Sequence, residues 1–162
     1  MPAVVRTVKL NQEIKQKRPF PSIQEEAILA IVRTADQLAA PMTEVLRGAS
    51  LSQSQYNILR ILRGARGEGL ACGEIAERMI SRDPDLTRLL DRLESRGLVA
   101  RARGTTDRRV VLASITKEGL ALLASLDKPV QASVRATLAH VPEERLRTLV
   151  EILEEVRTVP TD

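Results

Sequence analysis

Apolar residues recur at three- and four-residue spacing along most of the chain, the period that lays one stripe down an α-helix. The first stripe runs through Ile23, Ala27, Ala30, Ile31, Ala35, Leu38, Met42 and Val45. It opens on "SIQE" at 22–25, a capping box: the Ser22 hydroxyl faces the amide near Glu25 while the glutamate reaches back. Pro41 has no amide to give, so a kink or local break is expected there. "LSQSQYNILRILRG" repeats the signal, with Ser52 and Gln55 as a second capping box and Tyr56, Leu59 and Leu62 facing inward. That helix ends near Gly64, in a loop holding Gly67 and Gly69. "CGEIAERM" predicts a short third helix with Ile75, Ala76 and Met79 buried.

At "RDPD" the fourth helix begins, with Asp83 as N-cap and Pro84 in the first helical position, where a missing amide costs nothing. Leu86, Leu89, Leu90, Leu93 and Leu98 form its inner stripe, and Gly97 stops it. Thr87, Arg88, Asp91, Arg92 and Ser95 fall on the outer face. Beyond it, "LVARAR" and "RVVLASI" alternate in part around "GTTD", which reads as a two-stranded hairpin with a polar tip. Thr116 caps a long fifth helix with Leu120, Leu123, Leu126, Val130, Val134 and Leu138 on one stripe and a bend expected at Pro129. A sixth helix starts at Pro142 and carries Leu146, Leu149, Val150, Leu153 and Val156. Residues 1–21 show no sustained period and read as a basic extended arm or a disordered tail.

Three helices, an arginine-bearing helix, a hairpin and two closing helices is the order of a winged helix-turn-helix. The expected fold is mainly α, with a two-stranded β wing and long N- and C-terminal dimerisation helices. One domain over 22–158 is expected, its DNA-binding lobe at about 52–115 and its dimerisation helices at about 22–46 and 116–158. Packing the end helices across a two-fold axis makes a homodimer, which matches a pseudo-palindromic site with half-sites ~34 Å apart.

Composition narrows the chemistry. Hydrophobic residues make up 43% of the chain but aromatic ones 1%, so the core is aliphatic. Lys and Arg outnumber Asp and Glu 25 to 21, an excess that permits a polyanion without demanding one. Position matters more: seven arginines fall within 83–116. With Cys72 the single cysteine and His140 the single histidine, an intrachain disulfide and a Cys- or His-rich metal site are excluded. No G-x-S-x-G or comparable nucleophile motif occurs, so neither catalysis nor a cofactor is expected. No apolar run approaches the ~20 residues of a membrane span, and the N-terminal stretch has no signal-peptide pattern. A cytoplasmic protein without membrane partners is expected.

Arg88 lies on the outer face, one turn into the fourth helix, where its planar fork suits guanine O6 and N7; Thr87 suits a base methyl or a phosphate. Arg92 is either a more distal contact or an ion-pair partner on its own helix. Arg101 and Arg103 alternate onto one face of the first wing strand, lining the DNA or keeping a sheet edge soluble. Arg108 at the tip suits phosphate. Asp83 and Asp85 stand against this pattern, since carboxylates repel phosphate; Asp85 can accept from cytosine or pair with Arg88 or Arg82.

"SQYNILRIL", "GEIAERM", "DPDLTRLLDRLESRGLV" and above all "DRRVVLASITKEG" give residues 22–158 a clear resemblance to the MarR family of transcriptional regulators. The resemblance implies a bacterial homodimeric repressor or activator of double-stranded DNA whose binding a small-molecule effector or stress signal relaxes. It implies base reading by Arg88, and a D-x-R pattern in which Asp107 orients Arg109 into the minor groove. Narrow grooves do concentrate negative potential and attract a guanidinium whose rotamer a carboxylate fixes. Family members that sense peroxide carry their cysteine near the start of the first long helix; Cys72 is elsewhere, and a buried or capping thiol is the simpler expectation. Effectors in the family are often aromatic acids. Here only Tyr56 and Phe20 can stack on one, so aliphatics and arginine are the expected lining, if there is an effector at all. Two other classes remain open: a winged-helix dimeric interaction scaffold without DNA readout, and a thiol sensor acting through Cys72.

Overall fold

Seven helices and three short strands follow one another in the structure, a computed structural model that describes residues 8–82, 85–104 and 109–158. They fall into two compact units, one of residues 39–133 and one of the described parts of 1–38 and 134–162.

The 39–133 unit is built on capped helices. Helix α3 (Gln53–Gly64) carries the complete capping box: the Gln55 amide donates to Ser52 Oγ at 3.1 Å and the Ser52 amide to Gln55 Oε1 at 3.0 Å. Its Tyr56, Ile58, Leu59 and Leu62 are buried. Helix α4 (Cys72–Arg78) buries Ile75 completely and Met79 partly, whereas Ala76 is exposed, contrary to expectation. Two turns of helix show a narrow face, and Ile75 is the one residue within α4 that it buries. The Ile80 amide donates to Asn57 Oδ1 at 2.9 Å, fixing the turn after α4 against α3.

Helix α5 (Leu86–Ser95) starts later than the sequence suggests. Asp85 flanks it with φ −106° and ψ 31°, off the helical well and without a side-chain cap. Asp83 and Pro84, the expected cap and first turn, lie outside the described residues. The inner stripe is as expected: Leu86, Leu89, Leu90 and Leu93 are all buried. At the other end Gly97 takes φ +69°, the left-handed conformation that glycine adopts without a Cβ penalty. Its amide donates to Glu94 O at 2.8 Å and that of Leu98 to Leu93 O at 3.0 Å, with Leu93 and Leu98 both buried. This is a Schellman motif with its hydrophobic contact.

Strands β2 (Val99–Arg103) and β3 (Val111–Ile115) pair antiparallel, from Val99 opposite Ile115 to Arg103 opposite Val111. The sheet has a third member that the hydrophobic pattern does not announce. Strand β1 (Leu70–Ala71) adds to the free side of β3, giving the order β1-β3-β2. Two residues are too few to show an alternation, so only the pairing reveals the strand.

Helix α2 (Ile23–Arg47) begins with the Glu25 amide on Ser22 Oγ at 3.2 Å and runs unbroken through Pro41, so the local break does not occur. Near the proline, Thr43 Oγ1 and Gln53 Nε2 both donate to Ala39 O, at 3.0 and 2.8 Å. Helix α6 (Lys117–Leu138) likewise continues through Pro129. Thr116 caps it, accepting from the Gly119 amide at 3.0 Å while donating to Gly97 O at 2.7 Å. One hydroxyl thus joins the start of α6 to the end of α5. Arg63 holds Asp127 at 3.0 Å, joining α3 to α6. Leu46, Ile58, Leu59, Leu62, Ile75, Leu93, Val99 and Leu123 are the most deeply buried side chains, each worth about 1.5–3 kcal/mol of transfer free energy.

In the other unit, the expected extended arm contains a single helical turn, α1 (Leu10–Glu13). Its Glu13 carboxylate meets Arg33 at 3.6 Å and the Gln37 amide at 3.4 Å, partners too distant in sequence for local patterning to reveal. Helix α7 (Glu143–Arg157) is flanked by Pro142 rather than begun by it, and buries no residue. Its Val150 is 53% exposed, and on α2 Ile23 and Ile28 are 70% and 62% exposed, so large apolar side chains of both helices lie open in the single chain.

Candidate nucleic-acid interface

The inner leucine stripe of α5 fixes which side chains face solvent. With Leu86, Leu89, Leu90 and Leu93 in the core, Thr87, Arg88, Asp91 and Arg92 are all exposed. The Arg88 side chain is 75% exposed, and its ion pair with Asp85, at 3.5 Å, is a loose contact on the same helix face. Such a pair in water is worth little and yields readily to a better acceptor. Asp85 therefore pairs with Arg88, one of the alternatives open from sequence.

The wing carries the second group. Arg103 closes β2 and is exposed; Arg109 stands just before β3, also exposed. Asp107 and Arg108 lie outside the described residues, so the D-x-R pairing has no geometry here.

Among the described residues, Arg96 and Arg101 have partners away from the outer face of α5. Arg96 donates to Ser50 O at 2.7 Å and Ala49 O at 2.9 Å, bracing the turn that ends α2, in which Ser50 takes φ 52°. Arg101 turns back to α5. Its Nε donates to Glu94 Oε2 at 2.9 Å, and its Nη2 to Asp91 Oδ1 at 2.6 Å and to Glu94 Oε2. The Arg101 hydrogen bond holds the Glu94 carboxyl below the usual carboxylate range. Glu94, and then Asp91, raise the arginine in turn. Sequence reasoning missed both arginines' partners, because they lie across a turn or 46 residues away.

Cys72 is exposed at the first position of α4, not buried. Among the described residues, no group of three or more His, Cys, Asp or Glu is placed to hold a metal ion, and no helix is long and apolar enough to cross a membrane. A cavity of about 170 Å³ in the 39–133 unit is walled by Met42, Tyr56, Asn57, Arg60 and Ile80. The Arg60 guanidinium lies 5.9 Å from the Tyr56 ring centre.

Comparison with known proteins agrees with this geometry. The MarR family model matches residues 51–111, from the residue before the cap of α3 to the first residue of β3. A homoprotocatechuate degradative operon repressor of Escherichia coli is 27% identical over 133 residues, covering 82% of this chain and 88% of the repressor. The crystal structure of CouR from Rhodococcus jostii RHA1, bound to p-coumaroyl-CoA, superposes with a TM-score of 0.71 at 23% identity, over 88% of this chain and all of CouR, a likeness of fold. The crystal structure of a MarR transcription factor from Planctomyces limnophilus is 41% identical, with a TM-score of 0.65, over 84% of this chain and 98% of that one. The chain belongs to the MarR family and is a winged-helix, DNA-binding transcriptional regulator.

Proposed function

We propose that the chain acts as a homodimeric repressor of MarR type on a pseudo-palindromic operator, with α5 in the major groove and the wing on the adjacent minor groove. The observation that carries this is the outer face of α5, where Thr87, Arg88 and Arg92 are exposed above a buried leucine stripe. A rigid helix presenting one arginine fork and one hydroxyl is the arrangement that reads base edges. Arg88 and Thr87 take base contacts, Arg92 and Arg103 phosphates, and Arg109, with Asp107 as its partner and Arg108 beside it, the minor groove and its rim. Dimerisation through the end helices is favoured by the exposed apolar side chains of α2 and α7, among them Ile23, Ile28, Val150 and Val156, which a second copy would cover.

The cavity beside α3 sets Met42, Tyr56 and Ile80 beside the polar Gln53, Ser54, Asn57 and Ser81 and one guanidinium, Arg60, a lining that suits a small organic anion as effector. CouR, of the same fold, is known with p-coumaroyl-CoA bound.

Hydroxyl-radical footprinting of a duplex selected from a random pool tests the proposal, run beside sedimentation of the free protein. The expected result is a two-chain species and two protected half-sites about one helical turn, ~34 Å, apart. A single half-site protected by a monomer would overturn the dimer reading.

A further inference from the structure

From its place on the strand, Arg101 was expected either to line the DNA or to keep a sheet edge soluble, and the structure gives it a different set of partners. It sits on β2, yet its guanidinium bridges Asp91 and Glu94, one turn apart on the reading helix. Its side chain is 26% exposed, against 75% for Arg88. Three hydrogen bonds run from it to carboxylates of α5. A guanidinium held by two carboxylates has its charge neutralised and its rotamer fixed, so little of it is left to attract a phosphate.

We propose that Arg101 is a positioning residue: it clamps the wing strand to the reading helix, setting the angle at which both meet one duplex, and is not itself a phosphate contact. This rests on the DNA-reading function proposed above. The covalent link from α5 to β2 is the short turn at Arg96–Leu98, which fixes where the strand starts. Farther along, β2 has β3 on one side, and the Arg101 clamp is the ionic tie that draws it back to α5. Without the clamp, Arg103 and Arg109 keep their charges but lose the ionic tie that holds the outer part of β2 at a set angle to the helix of Arg88.

The carboxylates make the proposal testable by sign. Removing two negative charges beside DNA raises affinity if they act only through their charge. If they hold Arg101, removing them lowers it. The experiment titrates the full chain onto its selected duplex over a range of salt. It compares wild type with Arg101→Ala, Arg101→Lys, Arg103→Ala and the Asp91→Asn/Glu94→Gln pair, with thermal melts as a check on folding. Arg101→Ala is expected to weaken binding several-fold at every salt while leaving the slope of log affinity against log salt unchanged. Arg103→Ala flattens the slope by about 0.9 for each phosphate that the arginine had neutralised. The carboxylate pair of substitutions weakens binding like Arg101→Ala, and Arg101→Lys recovers part of the affinity. A flattened slope in Arg101→Ala, or tighter binding by the carboxylate variant, overturns the proposal.

Amide hydrogen exchange over residues 99–103 without DNA reads the clamp independently. Faster exchange in Arg101→Ala is expected, and unchanged exchange counts against the clamp even if the wild type proves unable to discriminate between duplexes. Loss of discrimination by the wild type would instead sink the DNA-reading function itself.

Discussion

Arg88→Ala is expected to reduce preference for the operator by about 1–3 kcal/mol, with the effect concentrated at one base pair. The side chain is 75% exposed and its pair with Asp85 is loose, so the substitution leaves no buried group unsatisfied and no cavity. Stability should therefore stay within about 0.5 kcal/mol of wild type, as for surface positions generally. The measurement is a set of competition titrations against operators changed one base pair at a time. Wild type distinguishes the base pair under Arg88; the variant does not. Arg92→Ala, at a more distal position on the same face, should weaken binding to all sequences by a common factor. An unchanged ratio of operator to scrambled affinity in Arg88→Ala would remove Arg88 from base reading.

The second large effect concerns the joint behind the wing. Gly119 lies in the first turn of α6, and a Cβ placed there would stand 2.4 Å from Leu98 O and 2.7 Å from Ile115 Cγ1. The carbonyl is backbone, and it accepts the Thr116 amide at 3.1 Å, so it cannot move alone. Gly119→Ala should therefore cost about 1–3 kcal/mol of stability, the usual range for overpacking, despite alanine's better helix propensity. Chemical denaturation measures it. Gly73→Ala is the control, since a Cβ there meets nothing within 4 Å. A stabilised Gly119→Ala protein would mean that the packing among α5, β3 and α6 is looser than the geometry states.

The parts of the fold legible in the sequence are those written in local periodicity and capping. Ser52 with Gln55, Thr116 with Gly119, and Gly97 after a leucine stripe are signals whose donors and acceptors lie within a few residues. They needed no tertiary context. What could not be read depends on partners far along the chain: β1 exists because β3 is there to pair with it, and α1 has Glu13 held by Arg33 and Gln37. The start of α5 was misplaced because Asp-Pro-Asp is a strong local signal, while the backbone at Asp85 is not helical.

The candidate site divides the same way. Periodicity assigns Thr87, Arg88 and Arg92 to the exposed face as soon as the leucines are assigned to the core. For a strand arginine, alternation names a face but not the object opposite it. Arg101 and Arg103 share a face of β2 by sequence, yet the α5 carboxylates capture Arg101 and leave Arg103 at the exposed end of the strand. Arg96 is a comparable case, its guanidinium bracing the end of a helix that the chain left almost fifty residues earlier.

The central claim is that this surface reads sequence rather than charge. Titration of the full chain against the DNA upstream of its own coding region, beside a scrambled duplex and at two salt concentrations, tests it most directly. Non-specific binding by a basic surface falls steeply with salt on both duplexes, whereas base contacts preserve a ratio between them. A preference for the upstream DNA that survives the higher salt is the result this account predicts. Equal and equally salt-sensitive binding to both duplexes, or binding to neither, would contradict it.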